Sequence, residues 1–475
     1  MKTIGLILTA CFLINPCKAL ASETSSEPNV LIDLPSNEPS EQLPNFPIEE
    51  WKNHVNGLMK EPFFLQDEIY EVNITADALP SSREKTEAQM LIRDSNGRVL
   101  SNNRISIKLR GYSSMDFPKK QYGISPIDEK GEDLSLPFLG MPKAEDWVLS
   151  APYNDKSLVR DILTYNLSNL LGRYAPRTRI VRLSFTLPET GTESKGIYVF
   201  TEKNTFGKGR IEIPKKNASG TSFQATFDHP HEGDNILWRQ DETHLVLEYP
   251  SIEKIKPEEQ KEFLDKFMGI DNLIRAPQGA DWDNLFEDKL DLASTVDFFV
   301  IQELGRNIDG YRLSSGIYSP PKGKIFFGPV WDFNLAYGNA FHENGAQYNG
   351  WRAQEKGIWF GVLLTHPKFC AAVKKRWTES RLDGSLSNAT IFNIVDKQSE
   401  LMKPLVKENF EIWPSLGLYL WPNPYWLNTW QGETDALKSW ISLRTEWLDQ
   451  AVTELTCTNT NTNTNTNTNS DPIEE

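Results

Sequence analysis

Two acidic residues, Asp309 and Asp332, are the side chains whose type and spacing in this sequence could best do chemistry. They stand 23 positions apart, and between them lie two short β-like runs, Gly316-Ile317-Tyr318 and Lys324-Ile325-Phe326-Phe327. Pro320-Pro321-Lys322-Gly323 supplies the turn that joins these runs, so the chain can double back and aim both carboxylates at one cleft. Oxygen groups so placed suit phosphoryl transfer, where one orients an attacking hydroxyl and the other holds magnesium on nucleotide phosphates. They also suit glycosidic hydrolysis, one carboxyl acting as acid and the other as base. The plainer account leaves Asp309 forming a turn with Gly310 and Asp332 capping a helix.

The flanking sequence predicts what would position these two residues. Thr295 can cap a helix that buries Val296, Phe299, Val300 and Leu304 and stops at Gly305, which places Asp309 just past a buried helix. Upstream, Ile105, Ile107 and Leu109 alternate with polar residues as a half-buried strand does. Leu158, Ile162, Leu163, Leu167, Leu170 and Leu171 recur at helical spacing and end at Gly172. A strand pair follows, from Ile180-Val181-Arg182-Leu183 to Gly196-Ile197-Tyr198-Val199-Phe200. From Trp359 to about Leu448 the pattern is mainly helical. The expected class is α+β, strand-rich in its first lobe and more helical in its second.

Composition narrows the function. A formal net charge of −15 argues against broad nucleic-acid binding, which requires basic surface, so any phosphate ligand needs locally placed cations. The start resembles a signal peptide over residues 1–21, with Lys2, an apolar run from Ile4 to Ile14, and Ala19-Leu20-Ala21 as a cleavage site. Export to the periplasm, cell envelope or medium is therefore expected. An alternative is a lipid anchor on Cys11 through Leu8-Thr9-Ala10-Cys11. Residues 22–45 read as a solvated linker, 46–455 as the folded domain, and 456–475 as a Thr/Asn tail. Cleavage at Ala21 would leave Cys370 and Cys457, enough for one disulfide in an oxidising compartment. No later segment has about 18 consecutive apolar residues, so no transmembrane segment is expected.

The run Glu303-Leu304-Gly305-Arg306-Asn307-Ile308-Asp309-Gly310-Tyr311-Arg312-Leu313-Ser314, followed by Gly328-Pro329-Val330-Trp331-Asp332-Phe333-Asn334, resembles the paired signature of the CotH kinase family, first known from spore coats. Leu109-Arg110-Gly111-Tyr112-Ser113-Ser114 with Phe117-Pro118-Lys119-Lys120 resembles an upstream block, and Trp147 to Asp161 and Gly196 to Lys203 extend the likeness. The resemblance covers roughly residues 100–380 and implies a two-lobed atypical protein-kinase-like fold using ATP and Mg²⁺ or Mn²⁺.

By position, the resemblance makes Asp309 the catalytic residue and Asp332, with Asn334, the metal side. Lys119 or Lys120 would meet the nucleotide phosphates, with Arg110 as a further cation and Ser113 and Ser114 in the adjoining turn. Successive strand residues face opposite ways, so only one lysine can reach the cleft, and Lys119 is preferred. Ser315 stands where a polar metal-side residue could follow Asp309. Many relatives carry a second Asp where this chain has Asn334, which lowers the charge offered to a metal. The implied activity is phosphorylation of Ser or Thr hydroxyls on exported or surface proteins, with a catalytically silent assembly scaffold as the alternative. Two features stay outside this reading: Asp228-His229-Pro230-His231 as a metal motif, and the crowded Trp413, Trp421, Trp426 and Trp430, either packed in the core or open to sugars.

Overall fold

The computed structural model describes residues 66–230, 234–240, 243–276, 282 and 284–458. The expected signal peptide, Cys11, the linker, the first part of the domain, His231 and most of the Thr/Asn tail lie outside the described residues.

Seven strands carry the alternation read from Ile105, Ile107 and Leu109: β1 (Tyr70–Thr75), β2 (Thr86–Arg93), β3 (Val99–Arg110), β4 (Gln121–Pro126), β5 (Trp147–Ser150), β6 (Thr178–Leu187) and β7 (Gly191–Glu202). They close into a barrel in the order β1-β2-β3-β4-β5-β7-β6. Neighbours run antiparallel except at the seam, where β1 lies parallel to β6 with Tyr70 opposite Val181. One face of every strand fills the interior with side chains such as Val72, Met90, Ile107, Ile124, Trp147, Leu183 and Phe200. The other face has two uses. Ile180, Ile197 and Val199 join the core of the second half, while β3 turns Ser106, Lys108 and Arg110 outward.

Between β5 and β6 runs α1 (Arg160–Leu170), buried along nearly its whole length. It starts two residues later than the Leu158 periodicity predicts, because Leu158 adopts a left-handed φ of 67° and belongs to the turn before it.

The second half holds β8 (Phe223–Asp228), β9 (Ile236–Gln240), β10 (Thr243–Tyr249), α2 (Pro257–Arg275), α3 (Leu292–Gly305), β11 (Ser315–Ser319) and β12 (Phe326–Phe327). Its strands form one sheet in the order β9-β10-β8-β11-β12. The hairpin predicted between the two aspartates is β11–β12, paired Ile317 to Phe327. Helix α3 begins three residues before Thr295: Asp291 is the cap, accepting from the Ser294 N–H, and Thr295 donates its hydroxyl to the Asp291 carbonyl instead.

Three further helices, α4 (Pro367–Leu382), α5 (Asn388–Ile412) and α6 (Trp430–Glu454), complete an α+β fold with a strand-rich first part and a helical last part. A disulfide joins Cys370 in α4 to Cys457 just past α6, with Cα atoms 5.4 Å apart. Among the described residues, no helix is long and apolar enough to cross a membrane.

Candidate active site

Asp309 and Asp332 sit on two loops held against each other by backbone shape. At the end of α3, Arg306 takes a left-handed φ of 41° and stops the helix. Gly305 lets the ring of Phe333 approach, since a Cβ there would lie 3.2 Å from it. Asn307 then bridges both loops: its Oδ1 accepts from the Asp309 N–H at 3.2 Å and its Nδ2 donates to the Asp332 carbonyl at 3.3 Å. From the Asp309 loop, Ser314 donates its hydroxyl to Asp332 Oδ2 at 3.4 Å. Tyr311, Ser314 and Asp332 all hold positive φ, at 74°, 47° and 61°. Each such residue is costly and persists only where its surroundings fix it.

Buried charges provide that fixing. The carboxylate of Glu303 accepts from the Tyr311 hydroxyl (2.8 Å), from the N–H groups of Arg352 (2.9 Å) and Ala353 (2.7 Å), and from Arg444 Nη2 (2.9 Å). Arg306 reaches Asn344 and Gly350 carbonyls and Glu355, while Arg352 grips the Ile308 carbonyl and Glu343. The Asp309 loop is thus pinned from below by three guanidinium groups.

The cleft is crowded with negative charge. Burial raises Asp309 above the usual carboxylate range, and burial together with the charge of Asp309 raises Asp332. Asp161, in the first turn of α1, accepts the Phe333 N–H at 2.6 Å and is raised by burial and by Asp332. Burial pushes Asp228, at the end of β8, up to about 7, with Asp332, Glu248 and Asp309 adding to the shift. Glu248 in β10 is raised as well, first by burial. Five carboxyl groups from five elements therefore share one field.

Facing them is Arg110, at the end of β3, whose guanidinium lies 5.3 Å from the centre of the Trp331 ring. Burial weakens its hold on its proton, and Asp332, Glu248 and Asp161 oppose that loss. Tyr165 stacks on the same indole, with ring centres 5.9 Å apart, and its hydroxyl accepts the Asp332 N–H at 3.3 Å. Arg312 stands 3.7 Å from Asp309 and 3.2 Å from Glu343.

The structure places the other sequence-predicted residues as follows. Lys119 does not face the acids: it is buried, donating to the Ile197 carbonyl at 2.6 Å and Asn409 Oδ1 at 2.9 Å, over the Tyr198 ring. There it ties the start of β4 to β7 and α5, and burial alone pulls it down to about 7. Lys120 donates to the Met115 carbonyl at 2.5 Å, closing the turn before it. Ser113 and Ser114 lie in a single 3₁₀ turn that follows Arg110, and Ser114 Oγ would be 2.0 Å from a Cβ on Gly111, so that glycine (φ 105°) lets the turn close. Asn334 Nδ2 donates to Asn154 Oδ1 at 3.1 Å, at the rim of the same cleft. Ser315 is structural, accepting the Tyr311 N–H and donating to the Leu313 carbonyl; its neighbour Ser314 is the hydroxyl that meets Asp332. His229 lies beside Tyr112, ring centres 5.7 Å apart.

Sequence reasoning passed over Asp161, Glu248 and Ser314 as site groups and saw Asp228 only as part of a histidine motif. Asp161 carried a usable signal, since a carboxylate in the first turn of a buried helix needs a partner.

Among the described residues, no three His, Cys, Asp or Glu side chains converge closely enough to hold a metal ion. A hard cation held by one or two carboxylates and completed by phosphate oxygens fits that donor set, as magnesium on a nucleotide commonly is.

No curated protein matches the sequence. The crystal structure of a Golgi casein kinase matches at 10% identity over 77% of this chain and 76% of that one, with a TM-score of 0.22, too low to define a shared fold. The decisive match is by sequence family: residues 107–448 fit the family described as CotH kinase protein, spanning the β3 end that carries Arg110, both aspartate loops and most of α6. The chain belongs to the CotH kinase family, an atypical kinase family, and membership implies ATP as its nucleotide.

Proposed function

We propose that the protein transfers the γ-phosphoryl group of ATP to Ser or Thr hydroxyls of exported or surface proteins, with Mg²⁺ or Mn²⁺. The observation that carries this reading is the gathering of buried acids around Asp332: Asp309 acts on Asp332, Asp332 on Asp161 and Asp228, and Glu248 on Asp228, burial raising all five, with Arg110 as the barrel's cation facing Asp332, Glu248 and Asp161. Such a field is relieved by a divalent cation carried in with the triphosphate.

When bound, the metal would neutralise charge building on the β- and γ-phosphate oxygens. Asp332 would hold it, with the side-chain oxygen of Asn334 as a weaker ligand. Arg110, stacked on Trp331, would fix the phosphates from the barrel side, a task the sequence likeness gave to Lys119. Ser113 and Ser114 would close over the phosphates from the turn beyond. Asp309 would orient the acceptor hydroxyl and receive its proton. The acceptor oxygen then bonds the γ-phosphorus as the β–γ bridging bond breaks and ADP leaves with its electrons. The Cys370–Cys457 disulfide and the leader-like start support an exported protein.

The test is incubation of the purified chain with labelled ATP, Mg²⁺ or Mn²⁺, and a protein acceptor, beside Asp309→Ala and Asp332→Ala. Label transfer abolished by both substitutions is expected. Nucleotide binding without transfer by the unaltered chain would instead favour a silent scaffold, the reading that Asn334 favours.

A further inference from the structure

Outside the acidic cleft, exposed apolar and aromatic surface gathers on two adjoining loops. Phe341, Leu418, Tyr419, Trp421 and Trp426 are each 49–57% exposed. Two of the four crowded tryptophans are packed inward, Trp430 donating to the Ser157 carbonyl at 3.0 Å and Trp413 to that of Lys195 at 2.9 Å. The other two are displayed. Trp421 lies flat on His342, ring centres 5.3 Å apart and planes 13° from parallel, and Trp426 meets the edge of Tyr419 at 5.4 Å. The loops are braced from beneath: Lys156 donates to the Leu418 carbonyl at 2.6 Å, and Phe341 N–H to that of Pro422 at 3.0 Å.

This shelf is continuous with the candidate site. On one side Asn423 Nδ2 donates to the Asn154 carbonyl at 2.9 Å, and Asn154 Oδ1 receives Asn334, two residues past Asp332. On the other, Asp309 leads through Arg312 to Glu343, which directly follows His342. A chain presenting a hydroxyl to Asp309 would have these loops within its reach. From Trp413 through Gly432 the sequence holds no charged residue, although the whole chain is 24% charged with a net −15. An uncharged, aromatic, pre-braced patch in an acidic protein selects an occupant that brings apolar bulk and no acidic groups at that point. Trp and Tyr are the residues that most often anchor polypeptide partners, and exposed Leu418 and Phe341 suit an aliphatic or aromatic side chain better than a sugar hydroxyl.

We propose that the Trp421–Trp426 shelf is the docking surface for the acceptor polypeptide, engaging a bulky apolar residue of the acceptor set apart from the hydroxyl that receives phosphate. The proposal rests on the kinase reading for the identity of its occupant.

The experiment is a two-sided substitution cycle. Synthetic peptides with one Ser and one Leu or Phe at varied separation, and matched peptides with Gly in place of the apolar residue, are offered with labelled ATP to the full chain and to Trp421→Ala/Trp426→Ala. In parallel, binding of the same peptides is followed by fluorescence anisotropy. At the optimal separation, KM is expected to rise about tenfold when either the tryptophans or the apolar residue is removed, and little further when both are. Independent, additive effects would overturn the docking surface while leaving the kinase reading in place. Tryptophan-dependent peptide binding without label transfer by the unaltered chain would sink the kinase reading and keep the surface. Tryptophan-dependent binding of a neutral oligosaccharide, with none of the peptides, would overturn the occupant.

Discussion

The barrel and the helical half solve the same problem, a stable interior, by opposite means. The barrel interior is packed with apolar side chains from Val72 to Phe200, and its strands meet through backbone ladders, with side-chain bonds such as Asn73 to Ser184 and Arg104 to Glu87 kept to its outer face. The interior of the second half is threaded with buried charge: Glu303, Arg306, Arg352 and Arg444 are all 0–1% exposed. Those charges bond loop carbonyls and N–H groups that no regular element satisfies, around the stretch where Arg306, Tyr311, Ser314 and Asp332 hold left-handed backbone. The contrast teaches a division of labour: the barrel presents a cation, Arg110, from a stiff strand end, while the second half uses ionic scaffolding to hold acids in conformations a plain core would not keep.

The sharpest break of that comparison is Asp332→Ala. It should lower phosphoryl transfer about a thousandfold or more while the thermal unfolding midpoint stays within a few degrees, because a strained, charge-crowded side chain contributes to chemistry and not to folding. A drop in the midpoint as large as a core deletion would show that the acid is structural.

Next in size is Glu303→Ala, expected to cost about 3 kcal/mol of unfolding free energy, since Arg444 is left buried without its carboxylate. Denaturant titration reads this directly, and a loss below about 1 kcal/mol would mean that the ionic scaffold is not what holds the loops.

At Arg110, replacement by Met keeps the stem over Trp331 and removes the charge. The KM for ATP should rise about tenfold or more, and less so at high salt where screening already weakens the contact. An unchanged KM would transfer the phosphate-binding role elsewhere.

The smallest effect on transfer belongs to Lys119→Met, within about twofold of the unaltered chain, as the ammonium faces Asn409 and not the acids. Its signature lies in stability. A lysine held at about 7 when folded and at its ordinary 10.5 when unfolded binds fewer protons in the folded state between those values. Stability therefore rises with pH across that window, by about 1.4 kcal/mol per unit for one proton, and falls as pH drops toward 7. The Met variant should lack that slope, which denaturant titrations at pH 7.5 and 9.5 would read out.

What could be read from the sequence was mostly what is local. The β11–β12 hairpin announces itself through Pro320 to Gly323, and with it the return of Asp332 toward Asp309. The sequence reading set Lys119 and Lys120 on opposite faces of a strand, but both precede β4, and Asn409, 290 positions along the chain, claims the first of them. Asp161, Asp228 and Glu248 come from α1, β8 and β10, so their shared field exists only after the chain is folded. Barrel closure has the same character, since Tyr70 finds Val181 across a parallel seam that no turn residue marks.

That seam has a last consequence. A sheet closed on itself leaves no row of unpaired amides, so among the described residues the barrel offers no free strand edge for a stray extended segment to be stitched on. A partner meeting it must do so through side chains, and unfolded neighbours cannot use it as a template for stacking into fibres.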